Sequence, residues 1–201
     1  MSTSSLVIAI TGASGGIYGV RLLERAAERV GEVHLVVSRQ GAKVLRHETG
    51  MEVEFPPVGQ VGNLPAAERV RLYHPDDLEA PFASGSNACD AMTIIPCSMG
   101  TAGRIAAGVS DDLITRAADV MLKERRPLVL VPRETPLNLI HLRNLTALCE
   151  AGAVILPAMP AFYTRPERVE DLVDFVVERA LRHLGIEGEL RHTWGEKGAQ
   201  P

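Results

Sequence analysis

"LVIAITGASGGIYGVRLLE", residues 6–24, sets an apolar run against a glycine-rich turn and then a helical pattern. Leu6 to Thr11 reads as a buried strand, and the residues from Ile17 onward as a helix with apolar side chains every three or four places. A strand that enters a helix through glycines puts backbone N–H groups, and the positive end of the helix, at the carboxyl edge of a sheet. That geometry binds phosphate. The same glycines also suit a plain tight strand-to-helix turn, so the residues around the turn have to decide the ligand.

Further Val- and Ile-rich runs predict strands at Val33–Val37, Ala91–Pro96, Leu128–Val131 and Ala153–Leu156. Helical periodicity between and after them predicts helices over Ile17–Arg29, Leu113–Lys123, Leu137–Glu150 and from Glu167 to about Leu184. Strands alternating with helices imply a parallel sheet covered on both faces. The expectation is a single doubly wound α/β domain, Rossmann-like or flavodoxin-like, over residues 1–185, followed by a polar tail at 186–201. Met51–Asn63 and Ala80–Asn87 read as loops.

The chain has 201 residues, enough for one sizeable core, and its 46% hydrophobic and 23% charged residues are ordinary for a globular protein. A formal charge of -4 gives no support for a nucleic-acid or anionic-membrane partner. No apolar run approaches the ~18 residues of a membrane span. Leu6–Ile10 is too short for a signal-peptide core and has no basic region before it, which points to the cytoplasm. Cys89, Cys97 and Cys149 form no CxxC pair, and the six histidines show no zinc-like spacing. A reducing compartment and no bound metal are expected.

The dinucleotide fingerprint GxGxxG is not met: Gly12 is followed by Ala13 and Ser14, with Gly15, Gly16 and Gly19 beyond. Ser38 ends the second strand where an acid usually holds the ribose of NAD. The turn is nearer the TGxxxGxG of short-chain dehydrogenases, but Tyr18 replaces its last glycine. Their YxxxK pair is missing, because Leu22, Asp77 and Glu167 stand four places after Tyr18, Tyr73 and Tyr163. Ser14 and Ser38 suit the single phosphate and ribityl chain of a mononucleotide. A second donor-rich turn, with Ser98, Gly100 and Thr101, lies in "TIIPCSMGTAGRIAAG", residues 93–108, where Pro96 is expected to stop the strand. Two such turns at neighbouring strand ends form the crevice in which doubly wound proteins bind ligands, here a flat mononucleotide such as FMN. Arg116 and Lys123 lie two helical turns apart on one face, and Arg133 and Glu134 follow a strand directly. They are either a solvated face or a second anion pocket for a substrate phosphate.

"TGASGGIYG", "ASGS" (83–86), "PCSMGT" (96–101), "LITRAADVMLKERRPLVLVPRETP" (113–136), "GAVILPAMPAFYTRP" (152–166) and "VEDLVDFVVERAL" (169–181) together resemble the UbiX-type flavin prenyltransferases, formerly described as aromatic-acid decarboxylases. The resemblance runs from about residue 6 to 195, is weakest between Glu52 and Glu79, and is most specific in the 113–136 block. It implies a transferase that joins the dimethylallyl group of dimethylallyl monophosphate to reduced FMN, making prenylated FMN for UbiD-type decarboxylases. It assigns Gly12, Ala13, Ser14, Ser38, Ser98, Met99, Gly100, Thr101 and Arg133 to FMN. Lys123, Tyr163 and Arg179 go to the donor phosphate, with Arg116 nearby, and Glu48 and Glu134 become active-site carboxylates. It also implies a homo-oligomer, typically a dodecamer, with the active site at subunit contacts.

The chemistry this implies does not depend on a DDxxD metal motif. Asp76-Asp77 and Asp111-Asp112 lack a third acid, and "EDLVD" at 170–174 reads as acids in the first turns of a helix. Fixed lysine and arginine cations can stabilise a departing phosphate instead. Attack by N5 followed by closure at C6 requires loss of a proton from C6. Glu134 is assigned to proton handling and Glu48 to positioning or charge stabilisation, with the released phosphate as an alternative base. Taken singly, Glu48 is also a polar helix end, Arg179 a solvated cation, Tyr163 a packing ring between prolines, and Trp194 an anchor or merely tail. Two other functions fit the fold: an FMN-dependent decarboxylase of the phosphopantothenoylcysteine type and a non-catalytic flavin-binding module. The former carries PASANT and PxMNxxMW motifs, replaced here by "PCSMGT" and "PRETPLNLIHLRN".

Overall fold

Strand β1 (Ser5–Ile10) lies at the centre of a six-stranded sheet and pairs in parallel with β2 (Glu32–Val37) and β6 (Ala91–Cys97). In this computed structural model, which describes residues 3–55, 60–61 and 67–187, β5 (Val70–Tyr73) extends the sheet beyond β2. On the other side, β7 (Leu128–Pro132) and β8 (Val154–Ile155) extend it beyond β6. The order β5-β2-β1-β6-β7-β8 is the 3-2-1-4-5-6 arrangement of dinucleotide-binding sheets. The connection reverses direction between β1 and β6. β3 (Val53–Glu54) and β4 (Gln60–Val61) form a separate antiparallel pair.

Because side chains alternate across a strand, Leu6, Ile8 and Ile10 join one core layer and Val7 and Ala9 the other. Burial on both faces explains the uninterrupted apolar run of β1. The first layer packs beneath α1 (Gly16–Arg29) and α6 (Val169–His183). The second packs beneath α3 (Met99–Ala106) and α4 (Leu113–Lys123), with Leu148 of α5 (Leu139–Glu150). Gly19 allows α1 to sit close on the sheet, since a Cβ there would lie 2.7 Å from the Ile95 carbonyl oxygen.

A ladder of ion pairs joins α1 to α6. Arg21 meets Asp174 at 2.9 Å, Arg25 meets both Asp174 and the buried Glu178, and Arg29 approaches Glu178 at 3.8 Å. The Thr3 hydroxyl donates to the Leu184 carbonyl at 2.5 Å, so the start of β1 lies beside the end of α6.

Several elements differ from the sequence reading, among them the β3–β4 pair within the expected loop at Met51–Asn63. Helix α2 (Arg39–Thr49) and strand β5 were not foreseen, and β6 continues through Pro96 to Cys97 with a register irregularity between Ile94 and Cys97. The expected loop at 80–87 contains two short 3-10 turns, Pro81–Ala83 and Gly85–Asn87. Ile186 still packs into the core; the rest of the proposed tail beyond Glu187, including Trp194, lies outside the described residues. No helix among the described residues is long and apolar enough to cross a membrane.

Candidate functional site

The strand ends at the reversal point are tied together by Thr11, which is 1% exposed. Its hydroxyl donates to the Pro96 carbonyl at 2.8 Å and accepts the Ser98 N–H at 2.8 Å; its own N–H also donates to Pro96 at 3.2 Å. Beyond this tie, each flanking strand runs into a serine-capped helix. Ser38 caps α2 by accepting the Gly41 N–H at 2.9 Å, and Ser98 caps α3 by accepting the Thr101 N–H at 3.3 Å. Serine is favoured there because its hydroxyl satisfies an N–H that has no partner inside the helix.

Between the caps opens a cavity of about 570 Å³, a volume within the range of pockets that hold drug-sized ligands. Gly12, Ser38, Ser98, Gly100 and Thr101 line it, all five named for FMN from the sequence. So do Arg39 and Arg104, which the sequence reading missed. Arg39 pairs with Asp76 at 2.5 Å, and Arg104 with Asp111 and Asp112 at 2.5 and 2.7 Å. The signal for both was spacing: Arg39 follows Ser38 directly, and Arg104 stands one helical turn after Thr101. The Met99 side chain is 6% exposed in the second core layer, which leaves its backbone at the turn. Ala13 is likewise buried.

The glycine turn itself is arranged differently from the opening expectation. Gly15, at φ 104°, begins α1, and the N–H groups of Gly15 and Gly16 both donate to the Glu48 carboxylate at 2.9 and 2.8 Å. The anion at this helix end is therefore the protein's own. Partial burial acts to raise the Glu48 carboxyl. Hydrogen bonds from Ser14, Gly16 and Gly15, together with the charge of Arg133, outweigh it and hold the group below its ordinary value. The Arg133 Nε–H donates to the Ser14 carbonyl at 2.9 Å, so Ser14, Glu48 and Arg133 form one cluster beside Gly12. Glu134 follows on the exposed loop and accepts the Thr135 N–H at 3.0 Å.

The proposed phosphate residues do not converge within one chain. Helix α4 starts at the cavity rim, where the Leu113 N–H donates to the Pro75 carbonyl at 2.7 Å. Lys123 is ten residues on, about 15 Å along the helix. Its ammonium pairs with Glu124 at 2.6 Å, packed against Gly85, while the Arg116 Nε–H donates to the Ala83 carbonyl at 2.9 Å. The "ASGS" segment is thus the seat of the Arg116–Lys123 face. Tyr163 and Arg179 form a second group around Phe175: Tyr163 meets its ring edge-on at 6.1 Å and the Arg179 guanidinium lies 4.6 Å over it. Neither group lines the cavity.

Cys97, at the end of β6, is fully buried and its thiol is pushed up to about 12; burial pushes Cys89 up to about 11. Neither supplies a thiolate nucleophile near neutral pH. Among the described residues, no three His, Cys, Asp or Glu side chains are grouped to hold a metal ion.

The flavoprotein family model matches residues 1–181. The flavin prenyltransferase UbiX of Pseudomonas aeruginosa is 48% identical over 197 residues, covering 96% of this chain and 94% of its own. Among solved structures, AnUbiX in complex with FMN and dimethylallyl pyrophosphate superposes with a TM-score of 0.83 at 39% identity, covering 96% of this chain and 99% of that one. A dodecameric FMN-dependent UbiX-like decarboxylase from Escherichia coli O157:H7 gives 0.81 at 42% identity, with 91% and 96% covered. A phosphopantothenoylcysteine-type (PPC) decarboxylase mutant, at 21% identity and a TM-score of 0.59, shares the fold alone. Matched over most of its length by this family model and by these relatives, the chain belongs to the flavoprotein family and, within it, to the UbiX flavin prenyltransferases.

Proposed function

We propose that this chain joins the dimethylallyl group of dimethylallyl monophosphate to N5 and C6 of reduced FMN, without a metal, and that the prenylated FMN passes to a UbiD-type decarboxylase. The observation that carries the reading is the cavity at the sheet's reversal point, walled by Gly12, Ser38, Ser98, Gly100 and Thr101. When bound, reduced FMN supplies the electron-rich ring that forms the new bonds. The chain's task is to bind and orient it, to stabilise the departing phosphate and to move a proton.

Ser38 and the Ser98–Thr101 turn hold the mononucleotide, with Ala13, Ser14, the Met99 backbone and Arg133 at its edge. As the allylic C–O bond breaks, phosphate leaves with the electron pair, and lysine and arginine cations stabilise it. A bond from prenyl C1 to N5 replaces the C–O bond as N5 gives up its proton. A bond from prenyl C3 to C6 uses the electron pair of the prenyl double bond, with a proton added at prenyl C2 and the C6 proton lost. Glu48 stays ionised because two N–H groups hold it, so it supplies fixed negative charge rather than a proton. Proton transfer falls to Glu134, exposed on the adjoining loop.

Lys123, Arg116, Tyr163 and Arg179 act across a subunit contact, in a homo-oligomer like the dodecameric relative. Exposed Leu139, Ile140, Met159 and Phe162 support such contacts. The free, buried Cys89 and Cys97 fit a reducing cytoplasm.

The test is anaerobic incubation with reduced FMN and either dimethylallyl monophosphate or the pyrophosphate, followed by mass spectrometry of the extracted flavin. A gain of one five-carbon unit with the monophosphate is expected. Unchanged flavin from both donors, in protein that binds FMN, overturns the transferase reading in favour of a decarboxylase or a binding module.

A further inference from the structure

We propose that Thr11 is a positioning residue for flavin binding: its buried hydroxyl fixes the separation of the two turns, 12–15 and 98–101, between which the mononucleotide seats. The inference rests on the flavin reading of the cavity and adds a residue that touches no ligand.

The two turns belong to different parts of the chain, and they meet only where β1 and β6 end side by side. β1 and β6 are paired in register from Leu6–Ala91 to Ala9–Ile94 and no further, while the pairing of β6 with β7 shifts register between Ile94 and Cys97. The regular sheet hydrogen bonds thus stop short of the turns. Thr11 spans the gap: one hydroxyl both donates to the Pro96 carbonyl and accepts the Ser98 N–H, each at 2.8 Å, so its donor and one acceptor site are used. The Ser98 N–H belongs to the residue that caps α3, and Gly12, next to Thr11, lines the same cavity as Ser98. A change at this hydroxyl therefore shifts both walls relative to each other. At 1% exposure, water cannot replace the bonds without entering the core.

Valine has nearly the same shape as threonine but leaves the Ser98 N–H unpaired, whereas serine keeps the hydroxyl. Thr11→Val is expected to raise the Kd for FMN about tenfold, and Thr11→Ser to restore it to within about twofold of the unchanged protein. Val129→Ala, in fully buried β7 away from both turns, serves as a control for general loosening. Equal FMN affinity in Thr11→Val, or a comparable loss in Val129→Ala at matched Tm, overturns the proposal. So does failure of Thr11→Ser to rescue.

A second measurement needs no variant. In the unchanged, FMN-free protein, the Ser98 amide is expected to exchange with deuterium as slowly as the β1 amides. Exchange at the rate of an exposed loop until FMN is added overturns the inference even where Thr11→Val does not fold. If the unchanged protein binds no FMN, the flavin reading itself fails, an outcome distinct from all of these.

Discussion

Glu48 is held by two backbone N–H groups at the start of α1, the end of a helix dipole where negative charge is favoured. Replacing it with alanine leaves both donors without that partner. Because the carboxylate is largely solvent-exposed, screening keeps the expected loss of stability to about 1 kcal/mol. The folded-state pKa lies below the ordinary 4.5, so this contribution is complete above about pH 4.5 and is lost as the pH falls through the lower folded value. Urea denaturation of the unchanged and Glu48→Ala proteins checks both points: a gap at pH 7 that narrows below pH 4.5 is expected, and a pH-independent gap contradicts the assignment. At this scale the donor positions of Ser38 and Ser98 were legible, since each serine directly follows a buried apolar run and so stands at a strand end. The Glu48 partnership was not, because its donors stand 33 and 32 residues away. The burial of the Met99 side chain was not legible either, because it depends on the phase of α3, which the motif does not carry.

The ion-pair ladder between α1 and α6 makes a prediction for those elements together. Glu178 is 5% exposed and faces Arg25 and Arg29, whose side chains are 18% and 31% exposed. Removing a buried acid strands its cations, a cost moderated here by their partial access to water. Glu178→Ala is expected to destabilise the protein by about 2 kcal/mol, or about 4–8 °C in Tm. Arg29→Ala, at the looser 3.8 Å end, should fall within about 0.5 kcal/mol. Differential scanning calorimetry on both variants distinguishes the cases, and equal effects would mean that the ladder is not graded by burial. The buried strands β1, β2, β6 and β7 were legible because sheets covered on both faces leave continuous apolar runs. β5 was not: "VRLY" is four residues on a sheet edge, with an exposed arginine in the alternation, too short for a period of two to stand out. Helix α2 buries only Gly41 and Leu45, so its sequence carries almost no apolar stripe.

On the scale of the whole molecule, the cavity opens at the start of α4 and Lys123 stands at its end, about 15 Å along the helix. If each site takes Glu134 from one copy and Lys123 from another, Glu134→Gln and Lys123→Ala, each inactive alone, should restore activity when co-assembled. Random mixing leaves about a quarter of sites with neither lesion. No recovery in confirmed mixed assemblies would place both residues in the same copy's site. The resemblance implied a site at subunit contacts, but the periodicity of α5 did not show that Leu139, Ile140 and Leu142 are 60%, 66% and 48% exposed. The bond from Thr3 to Leu184 has a practical meaning too. The described chain begins and closes on the amino edge of the sheet, while the cavity opens at the carboxyl edge. A tether attached at Thr3 would hang from the side away from the ligand entrance. A short peptide bridging Thr3 and Glu187 would keep Ile186 in the core and allow new ends to be cut elsewhere on the surface, turning the linear protein into a circular permutant.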